Sequence, residues 1–218
     1  MSEIFNEIDD ELRKEQLKRI WDKYSVYIVA LAVLIVAGVG GWRGYEYLAT
    51  QKAYKASAAF DAAATLSDEN KHTEAEAAFN ALAADAPAGY RSLARLRGAA
   101  EAASRDAPAG VKLYDAIAAD SSVGAHERSL ATVRAAVLLI DSASYDDMVK
   151  RLDAITQPSS MYRHTARELL ALSAWRAKNV AETRKWLDQI AEDGETPASL
   201  RSRAEALQAL LPPAAAKS

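Results

Sequence analysis

The chain has 218 residues, 27 basic against 30 acidic, a net charge of −3 and no cysteine. The missing thiols exclude a cysteine nucleophile, a thiolate metal site and a disulfide framework, and the isoelectric point near 5.7 argues against an electrostatic nucleic-acid binder. Alanine is very frequent, with 48 residues against 9 glycines and 6 prolines, and it is the residue that enters a helix at the least cost. Composition therefore favours an all-α fold.

The most apolar part of the chain is the stretch from Tyr24 to Trp42, which has no charged residue over 19 positions. As a helix it would be roughly 28 Å long, close to the hydrocarbon thickness of a bilayer. We predict a transmembrane signal-anchor helix over residues 24–44. A buried core helix and a cleavable secretion signal are the alternatives, and the long acidic head before the stretch disfavours the signal. Aromatic residues typical of headgroup regions flank both ends: Trp21, Tyr24, Tyr27, Trp42, Tyr45 and Tyr47.

Basic residues near the two ends of the apolar stretch set the expected orientation. Five precede it and three follow it over a comparable length: Arg13, Lys14, Lys18, Arg19 and Lys23, then Arg43, Lys52 and Lys55. The excess predicts that residues 1–23 form a cytoplasmic head and that the rest of the chain lies across the membrane, in the periplasm of a Gram-negative source. The head is either a docking segment for a cytoplasmic partner or a solvated flank that fixes topology.

Small residues recur along the predicted membrane helix. Ala30, Ala37, Gly41 and Gly44 are separated by 7, 4 and 3 positions, which places them on one helical face. Such a face lets a second membrane helix approach closely. The stripe is either a packing surface for a partner helix or a coincidence, since small residues are common in membrane spans.

Beyond residue 45, Ala-rich amphipathic segments alternate with short polar breaks, and no strand pattern competes. Short connections between consecutive helices predict antiparallel helical hairpins. The expected helices cover 48–66, 73–84, 90–103, 109–119, 126–140, 145–155, 161–177, 180–191 and 198–211.

A large apolar residue recurs in the second helix of each predicted pair, at Phe79, Tyr114, Leu152 and Trp186. The intervals of 35, 38 and 34 residues are close to the tetratricopeptide period. We therefore predict a tetratricopeptide-like α-α superhelix over residues 45–211, with about four hairpins and a capping helix at its end. Residues 212–218 are expected to form a disordered tail.

No catalytic, cofactor-binding or metal-binding residue is predicted. The three histidines, His72, His126 and His164, lack partners at metal-ligand spacing. A set of Ser104, Asp120 and His126 lacks a nucleophile elbow and an oxyanion motif, so we expect no enzyme activity and no small-molecule substrate. Two tryptophans on consecutive helices are either packed core or groove anchors for a client protein: Trp175 and Trp186.

The apolar helix ends in the segment GGWRGYEY, and an acidic-then-basic head precedes it. With Gly41, Trp42 and Arg43 followed by Tyr45 and Tyr47, the chain resembles the tetratricopeptide-like ancillary subunit of the bacterial SecYEG translocon, in its alphaproteobacterial form. The resemblance implies a single-pass inner-membrane protein that associates with translocon subunits and a membrane-anchored periplasmic chaperone, and passes secreted clients to periplasmic chaperones. It also implies an alternative, control of an envelope stress response through residues 1–23.

Overall fold

The computed structural model describes residues 2–213, with side chains described for Lys14, Glu15 and residues 18–213. This part of the chain forms nine α-helices, one short 3-10 turn and no strand, which confirms the all-α prediction. Residues 214–218 of the expected disordered tail lie outside it. The helices are α1 Ser2–Asp68, α2 His72–Asp85, α3 Ala88–Arg105, α4 Ala107–Ala119, α5 Ala125–Leu139, α6 Tyr145–Leu152, α7 Arg163–Arg176, α8 Val180–Glu192 and α9 Ala198–Ala209.

Helix α1 is unbroken, whereas the sequence predicted a separate helix over 48–66 after the membrane segment. The prediction was wrong because a change in composition is not a change in backbone conformation. Residues 45–47 carry no helix breaker, and no glycine in the described chain adopts a positive φ. The chain divides between Tyr54 and Lys55 into two compact units, each described separately below.

Helices α2 to α9 begin and end within three residues of their predicted bounds. Local capping explains the starts of α6 and α8, because the Ser144 hydroxyl and the Asn179 side-chain oxygen each accept a backbone N–H bond, at 3.2 Å, from the residue three positions later. The predicted end of α6 at residue 155 is the largest difference. The α-helix stops at Leu152 and continues as a 3-10 turn, Asp153–Ile155.

Alternate helices lie side by side in two layers of the repeat unit. Four side-chain pairs join helices of the same layer, and their partners are 34, 36, 37 and 35 residues apart: Ser67 with Glu101, Asp115 with Arg151, Tyr145 with Glu182, and Glu168 with Arg203. The first and last pairs join α1 to α3 and α7 to α9, and the middle pairs join α4 to α6 and α6 to α8. Each hairpin therefore packs on the next at about one tetratricopeptide period.

The core of the repeat unit consists of three hydrophobic clusters that follow one another along the chain. The first joins the end of α1 to α2 and α3, the second joins α3, α4 and α5, and the third joins α5 to α9. The predicted core residues occupy them, with no more than 5% of each exposed: Phe79, Tyr114, Leu152 and Trp186. This serial arrangement is typical of a repeat protein, in which each unit contacts only its neighbours.

Gly110 lets α3 and α4 approach closely where only Asp106 separates them. A Cβ at this position would lie 2.3 Å from the Ala103 Cβ and 2.7 Å from its Cα, distances that the backbone cannot accommodate without moving. A residue without a side chain is therefore required at this position by helix packing.

Candidate interaction surfaces

The first candidate surface is the apolar stretch of α1. This helix contains a segment that is long and apolar enough to cross a membrane, which is compatible with a single-pass anchor. All side chains from Val26 to Thr50 are exposed, including Val36 at 72% and Leu34 at 69%. Aromatic side chains at both ends are exposed as well, with Trp21 at 57% and Trp42 at 69%.

The small-residue stripe of Ala30, Ala37, Gly41 and Gly44 lies within this stretch, and every member is exposed. At about 100° per residue the four positions fall within roughly 60° of one another around the helix axis. No neighbouring atom lies within 4 Å of the position that a Cβ would take on Gly41 or Gly44. The stripe is thus an open face of small residues, and the exposed Leu34 borders it, about 20° outside the arc.

The second candidate surface lies at the other end of the chain, where the two tryptophans have different environments. Trp186 on α8 is 5% exposed, and its Nε1–H donates to the Tyr145 hydroxyl at 2.9 Å. Tyr145 donates in turn to Glu182 at 2.7 Å. Trp175 on α7 is 47% exposed. Trp186 is therefore a core residue, and of the two rings only Trp175 is accessible at the surface.

Trp175 lines a groove of about 420 Å³ formed by the end of α7, the start of α8 and the segment that follows α9. Its volume is within the range of clefts that hold ligands. The lining residues are Trp175, Arg176, Lys178, Val180, Thr183, Leu210, Leu211 and Pro212.

A cluster of charged residues joins the loop between α8 and α9 to helix α7. Asp193 accepts a bond from Arg163 Nε at 2.8 Å and one from Arg167 Nη1 at 2.8 Å. The Arg163 guanidinium is the main reason why the pKa of Asp193 lies well below its usual range. Burial lowers the pKa of His164, which lies 3.1 Å from the Thr196 hydroxyl. The Thr196 hydroxyl donates its proton to the Ile190 carbonyl, so the same hydroxyl accepts a hydrogen bond from the Nδ1–H of neutral His164. His164 therefore has a structural role.

The cluster was not predicted from the sequence. Its acid–base partners, Arg163 and Arg167 with Asp193, are 30 and 26 residues apart, so no local spacing indicates them.

The structure does not assemble the serine, aspartate and histidine considered above. Ser104 donates to the Ala100 carbonyl, Asp120 accepts from Arg95 and Ser122, and no hydrogen bond joins either to His126 in the described part of the chain.

His72 lies against a carboxylate, with Nδ1 2.7 Å from Glu101, which also accepts a bond from Ser67 at 2.6 Å. Glu101 is 3% exposed, so this trio ties α1, α2 and α3 together. Among residues with described side chains, no group of three or more His, Asp or Glu residues could hold a metal ion.

Stacked antiparallel helical hairpins in two layers, with a serial core and an open groove, define an α-helical repeat protein. A family model described as a tetratricopeptide repeat-like domain matches residues 18–169, more than two thirds of the chain, and the chain belongs to that family. The match begins before the apolar stretch of α1 and ends within α7. No curated protein and no solved structure gives a significant match. Domains of this kind are protein-interaction scaffolds that use extended surfaces for binding.

Proposed function

We propose that this protein is a membrane-anchored, non-enzymatic interaction scaffold of the bacterial inner membrane. Residues 24–44 form its single-pass anchor, residues 1–23 lie in the cytoplasm and residues 45–211 lie in the periplasm. The observation that carries the proposal is the charge-free stretch of α1, whose apolar side chains are exposed and which belongs to the region matched by the family. Lipid acyl chains would cover those side chains without requiring any other part of the protein.

We further propose that the scaffold is an ancillary subunit of the Sec translocon that helps pass secreted proteins to periplasmic chaperones. The motif of Gly41, Trp42 and Arg43 and the charged head support this proposal through their resemblance to that family. The structure adds two separate surfaces, the exposed stripe on α1 and the groove at Trp175. Weak contacts at two surfaces on one chain add through a high effective concentration once the chain is anchored beside its partner.

Single cysteines test the orientation, because the natural chain contains none. We expect Ser2→Cys to resist a membrane-impermeant maleimide in intact cells and Ser199→Cys, at an exposed position in α9, to react once the outer membrane is opened. Labelling of both after detergent lysis is the control for thiol reactivity. The reverse pattern in cells would contradict the proposed topology, and labelling of both sites without lysis of the inner membrane would contradict the anchor.

Photo-crosslinking amino acids on the apolar helix test the partner. We expect crosslinkers at Ala30, Ala37 and Gly41 to trap a translocon subunit, identified by mass spectrometry, more efficiently than crosslinkers at Val29 and Val36. The two valines are matched controls for Ala30 and Ala37 because each lies one residue away and is also exposed, but about 100° away around the helix. Equal trapping by both sets would show that the stripe is a coincidence. Trapping of a cytoplasmic regulator only, by crosslinkers within residues 1–23, would favour the stress-response alternative.

A further inference from the structure

The groove at Trp175 combines an apolar wall with cationic side chains. Trp175, Val180 and Leu210 expose 47%, 38% and 71% of their surface, although they are large apolar residues. Arg176 and Lys178 are the charged residues of the lining, and none of the lining residues is acidic. All of them follow Leu169, the last residue of the family match, so the groove lies beyond the matched domain.

Two arginines at the groove donate hydrogen bonds to backbone carbonyls. The Arg176 Nη1 donates to the Asp141 carbonyl at 2.6 Å, and its Nη2 donates to the Ala143 carbonyl. On the opposite side, Arg184 donates to the Pro212 carbonyl at 2.6 Å and fixes the segment after α9. Both arginines are bonded to neutral carbonyls, so their positive charges are not neutralised by these bonds.

Lys178 is the most available cation of the groove. It occupies the tight turn between α7 and α8 with a φ of 58°, the left-handed conformation that ends α7. The Asn179 N–H bonds to the Ala174 carbonyl at 2.9 Å and fixes that turn. The Glu182 carboxylate in the first turn of α8 pairs with Lys185 at 3.0 Å, and no ion pair of Lys178 is found among the residues with described side chains. The turn therefore presents an unneutralised charge at the groove that Trp175 also lines.

We propose that this groove binds a segment of a partner protein in which a bulky apolar side chain is flanked by carboxylates. The inference rests on the proposed function, and it adds the site and the chemistry of the partner. An aromatic or aliphatic side chain would cover Trp175 and Leu210, while a neighbouring carboxylate would gain a charge-assisted bond from Lys178. An anionic lipid surface offers the same charge, but a flat membrane does not enter a groove walled on two sides by α7 and the segment after α9.

Peptide binding to the full chain in nanodiscs tests the proposal by fluorescence anisotropy. The probe is a fluorescein-labelled peptide with a central phenylalanine between glutamates, and two matched peptides carry lysines in place of the glutamates or serine in place of the phenylalanine. We expect saturable binding of the first peptide and at least about tenfold weaker binding of the other two, since each lacks one of the required groups. The affinity for the acidic peptide should also fall with rising salt.

Variants of the chain locate the binding site. Trp175→Ala and Lys178→Glu should each weaken binding of the acidic peptide about tenfold or more, because each removes one side of the complementarity. Leu93→Ala and Lys112→Glu are the matched controls, since they remove an exposed apolar side chain and an exposed lysine from α3 and α4. Unchanged circular dichroism of all four variants verifies that they are folded.

Three results would overturn the proposal: equal affinity for the acidic and basic peptides, equal losses in the control variants, or displacement of the peptide by phosphatidylglycerol vesicles but not by phosphatidylcholine vesicles. The last would assign the groove to a membrane surface. These failures are distinct from failure of the scaffold function. If the stripe on α1 still traps a translocon subunit in the Trp175→Ala and Lys178→Glu variants, the scaffold stands and only the groove assignment is wrong.

Discussion

Phe79→Ala is expected to lower the free energy of unfolding of the first hairpins by about 3–5 kcal/mol, the range for a large side chain removed from a core. Phe79 on α2 is fully buried. Its ring lies 5.3 Å from the Phe60 ring of α1 in an edge-to-face arrangement. The Phe79 Cβ lies 3.6 Å from the position that a Cβ would take on Gly98 of α3. Removing the ring leaves a cavity where three helices meet.

Urea unfolding of the full chain in a mild detergent, followed by circular dichroism, measures this loss. Phe79→Leu is the matched control, because it keeps most of the apolar volume and should cost less than about 1.5 kcal/mol. Leu93→Ala, at a residue 50% exposed on α3, should change the free energy by only a few tenths of a kcal/mol, within the roughly ±0.5 kcal/mol typical of surfaces. A loss below about 1 kcal/mol for Phe79→Ala would mean that the Phe79 ring is not packed in the core as described.

The helix ends were predictable because local chemistry sets them. Polar caps such as Ser144 and Asn179, and the prolines that precede α3 and α9, act within a few residues of where they stand. The unbroken course of α1 was not predicted, because the sequence changes from apolar to amphipathic near residue 45 without any residue that ends a helix. A change from an apolar to an amphipathic pattern does not by itself alter the backbone conformation of a helix.

The candidate surfaces were predictable only in part. The repeat interval identified the buried residue of each second helix, including Trp186, because stacking gives equivalent positions equivalent environments. Trp175 has no such counterpart. It lies seven positions after Glu168 and three after Leu172, on the side of α7 that the neighbouring helices leave partly uncovered. Its exposure depends on where α9 ends, and Leu210 and Pro212 are far from it in the sequence.

Trp186→Ala is the second substitution with a large expected effect, a loss of about 3–5 kcal/mol from the last hairpins. The ring packs in the cluster that joins α5 to α9. Burial raises the pKa of Tyr145 to about 12, so its phenol keeps a proton at neutral pH and donates to Glu182 while it accepts from the indole N–H. The substitution therefore removes both the apolar contacts of the ring and the indole N–H that donates to Tyr145.

Two further substitutions separate these contributions in the same urea experiment. Trp186→Phe keeps an aromatic ring in the core and loses the donor, and the bond alone should account for about 0.5–1.5 kcal/mol. Trp175→Ala removes an equally large side chain from the preceding helix, but from a half-exposed position, so its loss should be well below that of Trp186→Ala. If Trp175→Ala were the more destabilising, the assignment of core and surface tryptophans would be wrong.

Hydrogen exchange shows where each substitution acts, because the three core clusters follow one another along the chain. Trp186→Ala should speed exchange mainly in α6 to α9, and Phe79→Ala mainly in α2 and α3, since each hairpin is stabilised by its nearest neighbours. Equal acceleration throughout residues 72–209 by either variant would mean that the hairpins unfold as one cooperative block. In that case the groove would unfold together with the core clusters. With local unfolding, Trp175 and Lys178 keep their positions when the first cluster is damaged, and Phe79→Ala should leave peptide binding at the groove unchanged.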